Sequence, residues 1–251
     1  MDQHHLDIVR LAWARRLGLT DDALAAGGYA AAVDDSSAVV RFVRIGDAAA
    51  LVGPSWMVER AAERTLAELL EPATLLGLTH DHSGRCAGPI TLGFAIDYTT
   101  LAPEPPPLVS HDPADASALE TLCPPDDIAD AHVSTRDRRF VVLSDEHDPL
   151  AGAGYDEFEG FLADTGVLTA PAQRRLGLGA TALSLTADDA LDQGLIPQLQ
   201  WHRDNRAARA LAERTGFDDV GSYVEVALGR PDNPPPDRPG TQPSEGTGSD
   251  D

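Results

Sequence analysis

The sequence predicts a mixed α/β fold, and three observations lead to that prediction. Short apolar segments with a period of two residues, such as AVVRFVRIG and FLADTGVLT, are typical of strands. Other segments have helical spacing, among them Leu6–Leu17 and the segment that begins at Gly177. In the second half the predicted order is β-β-β-α-β-α-β, which favours a mixed sheet over an all-parallel one.

The first half predicts four elements in order. A helix covers Leu6–Leu17, and AVVRFVRIG follows as a strand. The segment PSWMVERAAERTLAELL predicts one long helix, because Pro54 and Ser55 suit a helix start and the spacing continues behind them. ITLGFAIDY is a further strand. This half is therefore α/β, and its residues indicate no chemistry.

The second half predicts more elements, again in chain order. DASALETL is a helix, and RFVVL, AGAGYDEFEG and FLADTGVLT are three strands. A helix from Gly177 to about Gln193 follows, and then strand IPQLQW, helix NRAARALAERTG and strand SYVEVAL.

Two proline-rich stretches set the domain boundaries. The stretch LAPEPPPLVSHDP blocks both helix and central strand, so it predicts a linker at residues 103–107. The linker separates an N-terminal α/β domain (1–102) from a second domain (108–229). Residues 230–251 are acidic, proline-rich and almost free of apolar side chains, which predicts a disordered tail.

The composition excludes several classes of partner. The net charge is −22, with 41 Asp and Glu against 19 basic residues, all of them Arg, which argues against nucleic-acid binding. An acidic surface can attract cationic substrates, but the acidic residues are spread along the whole chain, which favours a role in hydration. Two distant cysteines, no long apolar run and no leader pattern predict a cytoplasmic protein without a membrane partner. The HDH segment at His80–His82 predicts no metal site.

The segment GLGATA (177–182) fits the pattern G-x-G-x-x-A, between a strand and a helix. Glycines there let backbone N–H groups approach a phosphate, although a turn that only packs helix on strand is an equal alternative. Arg174 and Arg175 favour the phosphate, because no acidic residue lies within four positions of them. More arginines follow in the next helical region, where they can also form solvated pairs: Arg203, Arg206, Arg209 and Arg214.

Two nucleotide-binding classes compete for this turn. A dinucleotide-binding fold needs an acidic residue about 20 positions further on, and Asp204 is near that place, but no second βαβ half follows. A P-loop is excluded because the chain has no lysine.

The glycine turn and a second segment together resemble a known family. VLTAPAQRRLGLGA resembles the acyl-CoA-binding motif of the GNAT superfamily of N-acetyltransferases, and NRAARALAERTGF resembles its second motif. The two lie at family-like spacing, and the resemblance covers about half of the chain, from Leu108 to Leu228. The matching positions are Arg174, Gly177, Gly179, Asn205, Ala208, Leu211, Gly216 and Phe217.

The resemblance implies a GNAT-like domain that binds acetyl-CoA, preceded by an α/β extension or a decayed copy of the same fold. The strand before Pro171 would part from its neighbour and hold the pantetheine arm along Val167, Leu168 and Thr169. Arg174 and Arg175 would supply positive charge, and Asn205 would contact the pantetheine, or cap its own helix. The pyrophosphate would be bound by the backbone N–H groups of Arg175, Leu176, Gly177, Leu178, Gly179 and Ala180.

The sequence departs from the family pattern at two positions. Ala212 stands where many members have a tyrosine that protonates the departing thiolate. Tyr223 or Tyr155 could substitute for it, but each is better explained by packing with its hydroxyl at the surface, and the thiolate can also leave without an acid. Arg175 stands where a glycine is common. Candidates for the base that takes the amine proton are Glu157, Glu159 and Asp164, although solvated loop acids are the alternative for the two glutamates.

These observations lead to one functional prediction and one alternative. The prediction is an acetyl-CoA-dependent N-acetyltransferase in which a small-molecule or peptide amine attacks directly, with Glu157, Asp164 and Tyr223 as catalytic candidates. The alternative is a non-catalytic acyl-CoA-binding or regulatory module, for which the absent tyrosine is the main support. The acceptor amine and the oligomeric state stay open.

Overall fold

The computed structural model describes residues 1–101 and 105–229. Part of the predicted linker (103–107) and the whole predicted tail (230–251) lie outside these residues.

The first segment contributes four helices and five strands. The helices are α1 (Gln3–Arg16), α2 (Ser55–Ala61), α3 (Leu66–Leu69) and α4 (Pro72–Leu78). The strands are β1 (Tyr29–Val33), β2 (Val39–Ile45), β3 (Ala48–Gly53), β4 (Arg85–Cys86) and β5 (Ile90–Phe94).

The second segment contributes the remaining elements. Its helices are α5 (Pro113–Thr121), α6 (Pro125–Ala131), α7 (Leu178–Asp192) and α8 (Arg206–Arg214). Its strands are β6 (Leu108–Ser110), β7 (Arg138–Leu143), β8 (Pro149–Phe158), β9 (Leu162–Thr169), β10 (Ile196–His202) and β11 (Asp218–Ala227).

The strands form one mixed sheet, which confirms the predicted fold class. Their order is β1-β3-β2-β11-β5-β10-β9-β8-β7-β6, and β4 pairs with β11 off this path. The β1–β3 and β9–β10 pairs are parallel, whereas all the others are antiparallel. Strand β5 lies between β10 and β11 and is antiparallel to both. A strand of the first segment therefore sits inside the sheet of the second.

The helices cover both faces of the sheet. Alternate side chains of each strand point to opposite faces, so the packing clusters show which helices share a face. Helices α1, α5 and α6 pack on the face that carries Leu162 and Leu168 of β9. Helices α2, α3, α4, α7 and α8 pack on the other face, against residues such as Leu51 of β3 and Leu199 of β10. We call these the α1 face and the α7 face.

The β9–β10 pair is incomplete, as the resemblance implies. Pairing runs from Leu162↔Ile196 to Thr165↔Leu199 and ends there. Residues 166–169 of β9 pair with β8 only, and residues 200–202 of β10 pair with β5 only. We call the opening between these two stretches the fork.

Two expectations for the first segment are wrong. The helix predicted over PSWMVERAAERTLAELL is two helices, because α2 ends at Ala61 and Thr65 then starts α3 with a capping box to Glu68. Strand β3 was not predicted, because its six residues are all buried and so show no alternation between apolar and polar side chains.

Candidate functional site

The open edge of β9 lies at the centre of the site. The backbone of Gly166–Thr169 has no partner on β10, although strand β8 still holds its other edge. Strand backbone groups that lack a partner strand are available to an extended ligand. The chain continues from this edge through Pro171 into the glycine turn and α7.

The glycine turn brings the start of α7 close to β9. Gly177 precedes the helix with φ of 88°, a conformation that glycine adopts without strain, and no side chain caps the helix. A Cβ atom on Gly179 would lie 2.7 Å from Thr169 Oγ1, so only glycine fits between helix and strand without a shift. The first N–H groups of α7 have no acceptor within the helix and point out of its end.

Arg175 has the backbone conformation that glycine would have at its position. Its φ is 67°, in the left-handed region, which costs a non-glycine residue about 1–2 kcal/mol. Although Arg175 departs from the family pattern, the loop at this position therefore has the backbone conformation that a glycine would have. Arg175 is exposed and forms no ion pair with the described residues.

The charges at the turn differ from the prediction in two ways. Arg174 has no acidic residue within four positions in the sequence, but in the structure its Nη2 donates to Asp127 Oδ2 of α6 at 2.5 Å. Arg214, at the end of α8, was counted only among the arginines of a helix surface. Its guanidinium Nη2 lies 3.5 Å from the position that a Cβ on Gly177 would occupy. The turn is therefore flanked by three arginines, and within residues 1–101 and 105–229 only Arg174 among them forms an ion pair.

The turn and the fork fit a ligand that has a phosphorylated end and an extended arm. The turn offers unpaired helix N–H groups, a close approach at Gly179 and two arginines, which suits a pyrophosphate. The open edge of β9 along Val167, Leu168 and Thr169 suits an arm with amide groups. The N–H groups available to the phosphates are those of residues 175–180.

Asn205 caps α8. Its Oδ1 accepts a hydrogen bond from the Ala208 N–H at 3.0 Å, and the side chain is exposed. The capping role is therefore present, and the side-chain amide nitrogen remains available to a ligand.

Asp164 lies at the base of the fork, on the α1 face. It pairs with Gln198, one position before the β9–β10 pairing ends. Its Oδ1 accepts from Gln198 Nε2 at 3.1 Å and from Gln200 Nε2 at 2.9 Å. Its Oδ2 accepts from Arg136 Nη1 at 3.2 Å, and the same nitrogen reaches Asp156 Oδ2 at 3.1 Å. A carboxylate has about four acceptor positions, so one remains on Oδ2 with respect to the described residues.

The structure does not bring the other catalytic candidates to the fork. Glu157 pairs with Ala163 near the β8–β9 turn, which places it on the α7 face, opposite to Asp164, and it is exposed. Glu159 lies in the turn itself with φ of 54°. Both positions agree with solvated acids.

The two tyrosines are also away from the open end of the fork. Tyr223 lies on β11, which β5 separates from β10, and burial together with Glu225 raises the pKa of its hydroxyl to about 12. Its hydroxyl donates to Glu225 Oε2 at 3.1 Å. The Tyr155 hydroxyl donates to Asp189 Oδ2 at 2.7 Å, and burial followed by that hydrogen bond raises its pKa above the usual range.

Ala212 is part of the core beneath α7 and α8. It is 1% exposed and belongs to the cluster of Leu183, Trp201 and Phe217. These large side chains fill the volume that a tyrosine ring at this position would need.

Residues 1–101 and 105–229 contain no group of three or more His, Cys, Asp or Glu residues that could hold a metal ion. In the same part of the chain, every helix is too short or too polar to cross a membrane.

Comparison with known proteins gives a family match for the second segment. Residues 105–217 match the model of the acetyltransferase (GNAT) family. Among curated proteins, no relative matches the chain.

Solved structures give matches with low sequence identity. A GCN5-related N-acetyltransferase from Kribbella flavida is 19% identical, with 61% of this chain and 63% of that chain covered and a TM-score of 0.46. A GNAT-family acetyltransferase from Colwellia psychrerythraea is 16% identical, with 61% and 60% covered and a TM-score of 0.45. The chain thus spans less than two thirds of the length of either protein.

Proposed function

Because residues 105–217 are a domain of the acetyltransferase (GNAT) family, we propose that this chain transfers an acetyl group from acetyl-CoA to an amine. The observation that carries the proposal is the end of β9–β10 pairing at Thr165, on the strand that leads into the glycine turn. The acceptor is proposed to be a small-molecule or peptide amine.

Acetyl-CoA would be held along the open edge of β9 and at the start of α7. The backbone of Val167, Leu168 and Thr169 would bind the pantetheine arm in place of the missing strand. The N–H groups of residues 175–180 would bind the pyrophosphate, with Arg175 and Arg214 beside it. Local positive charge matters here because the chain carries a net charge of −22.

Acetyl-CoA, when bound, supplies a thioester carbonyl to the attacking amine. The amine would approach from the α1 face, where Asp164 lies at the base of the fork. Asp164 would accept the amine proton at the unused position on Oδ2, directly or through one water. Gln198, Gln200 and Arg136 would hold the carboxylate in place.

In the described residues, the hydroxyls of both tyrosine candidates already donate to carboxylates, which argues against either as the general acid. The hydroxyl of Tyr155 is bonded to Asp189, and Tyr223 is two strands away from β10. A thiol has an ordinary pKa near 8.5, so a thiolate can leave near neutral pH without a side-chain acid. We therefore propose slow transfer without a general acid.

Two measurements test this function. CoA should raise the melting temperature, because a ligand of the folded state stabilises it by mass action, and NAD should not. Acetyl-CoA with a panel of amines should release free thiol. A shift with NAD and none with CoA would contradict the proposal.

The second candidate is a non-catalytic acyl-CoA-binding module, which Ala212 in the place of the family's usual tyrosine favours. A CoA-dependent shift without thiol release from any amine would support this module over the enzyme.

A further inference from the structure

Two hydrogen bonds connect the N-terminal helix to the carboxylate at the base of the fork. Trp13 Nε1–H on α1 donates to Gln198 Oε1 at 2.8 Å. Gln198 Nε2 then donates to Asp164 Oδ1 at 3.1 Å. Trp13 is 4% exposed and Gln198 is fully buried, so water does not compete with the first bond. A residue 185 positions before Gln198 thus contacts the site.

The indole of Trp13 determines which way the Gln198 amide faces. An indole N–H can only donate, so the atom that it contacts must be the amide oxygen. The amide nitrogen then faces Asp164 and donates to it. Without the indole donor, the buried amide oxygen loses its hydrogen bond and only Asp164 still orients the amide; in a turned amide the oxygen would face Asp164 Oδ1, where two acceptors repel each other.

We infer that Trp13 is a positioning residue for acetyl transfer, which acts through Gln198 to orient the Asp164 carboxylate. The inference rests on the proposed function, in which Asp164 accepts the amine proton at Oδ2. Gln198 and Gln200 together occupy Oδ1. This occupancy fixes the rotation of the carboxylate, and Oδ2 keeps its unused acceptor position for the substrate.

The role of the N–H group can be separated from that of the ring. The Trp13 ring packs against Phe158 and Tyr223, with ring centroids 5.6 and 5.8 Å away. Trp13→Phe keeps an aromatic ring in this packing and removes the donor. Trp56→Phe is the matched control, because Trp56 is on α2, on the opposite face, and stacks on His82.

The first test is a double-mutant cycle in thiol release from acetyl-CoA. Trp13→Phe should lower kcat about tenfold, the order expected for a buried hydrogen bond that acts on a charged group, and leave the Kd for CoA unchanged. In an Asp164→Asn background the same substitution should lower kcat no further, because its effect passes through that carboxylate. Trp56→Phe should leave kcat unchanged in both backgrounds.

Two kinetic outcomes would overturn the inference. One is an unchanged kcat in Trp13→Phe. The other is an equal loss of kcat in both backgrounds, which would show that Trp13 only stabilises the fold.

The second test does not depend on turnover. The three tryptophans give separate indole ¹H–¹⁵N signals in an NMR spectrum, and the Trp13 and Trp56 signals are assigned by their loss in the two Phe variants. Asp164→Asn should shift the Trp13 signal and leave the Trp56 signal in place. An unmoved Trp13 signal would refute the coupling. A parent protein that binds CoA but acetylates no amine would refute the proposed function instead, and the indole signals would still decide on the coupling.

Discussion

Two strand–turn–helix units lie on the same face of the sheet, and only one of them has the features of a ligand site. In the first segment, β3 leads through Pro54 into α2, and in the second, β9 leads through the glycine turn into α7. Strand β3 is paired along its length, with β2 on one side and β1 on the other. Asp35 Oδ1 already accepts the Ser55 N–H at the start of α2, at 2.7 Å.

The second unit differs at each of these points. Strand β9 loses one partner after Thr165, and α7 begins with no side-chain cap. The comparison teaches that a strand followed by a helix does not make an anion site. An open strand edge and free helix N–H groups are both needed. In the first segment β3 is paired on both sides and the Ser55 N–H already has an acceptor.

The largest expected effect tests whether the second segment needs the first segment in order to fold. Deletion of residues 1–101 should abolish the cooperative thermal transition, because it removes β5 from between β10 and β11. Leu92 and Phe94 of β5 are buried, and loss of even one such side chain costs about 2–5 kcal/mol. Circular dichroism on heating measures this. A fragment that melts cooperatively and binds CoA would show that the segments are independent.

The next effect compares one glycine from each segment. Gly179→Ala should lower the melting temperature and weaken CoA binding, because the new methyl group meets Thr169 Oγ1; overpacking of this kind costs about 1–3 kcal/mol. Gly77→Ala in α4 is the control, because no atom lies within 4 Å of its added Cβ. That change should be neutral or stabilise by up to about 1 kcal/mol, from helix propensity. Equal shifts in the two variants would contradict the close approach at Gly179.

A smaller effect compares two arginines of α8. Arg214→Ala should weaken CoA binding about tenfold, the size of one charge-assisted hydrogen bond. Arg209→Ala should change it little, because Arg209 pairs with Glu213 at 3.4 Å on the helix surface. Calorimetric titration with CoA measures both, and similar affinities would remove Arg214 from the proposed site.

The smallest effect concerns the hydrogen bond from the Ser55 N–H to Asp35 at the start of α2. The hydrogen bond from the Ser55 N–H lowers the pKa of Asp35, so the ionised carboxylate stabilises the fold. This contribution is present above the ordinary Asp pKa, about 4, and is lost as the pH falls through the lowered value. Asp35→Asn should therefore lower the melting temperature slightly at pH 7 and by less in acid, without creating CoA binding near Ser55. A loss that is constant with pH would contradict the role of the charge.

Local patterns predicted the parts of the fold and the site that depend on local geometry. The alternation in FLADTGVLT and the glycines at 177 and 179 are properties of neighbouring residues, and the elements they predicted are present. The pairing of Arg174 with Asp127 joins residues 47 positions apart, far outside the four positions on either side of Arg174 on which the prediction rested.

Other contacts between residues far apart in the sequence could not be predicted, for the same reason. The approach of Arg214 to Gly177 and the place of β5 in the sheet depend on how distant elements pack. Asp164 and Glu157 lie on opposite faces of the sheet, and the sequence contained a signal for this difference. Odd and even positions of paired strands alternate between faces, so the two acids could have been distinguished once the β8–β9 hairpin was predicted.

The position of β5 between β10 and β11 has a consequence for synthesis on the ribosome. Phe94 is made 133 residues before Ala227, at which β11 ends, so β5 leaves the ribosome long before both of its partners exist. At ordinary elongation rates the interval is on the order of ten seconds. For most of it β5 has neither partner strand, and one edge of β2 stays unpaired until β11 is made. Chains dominated by such distant pairings also fold slowly. We therefore expect the nascent chain to depend on chaperones until its last strand has emerged.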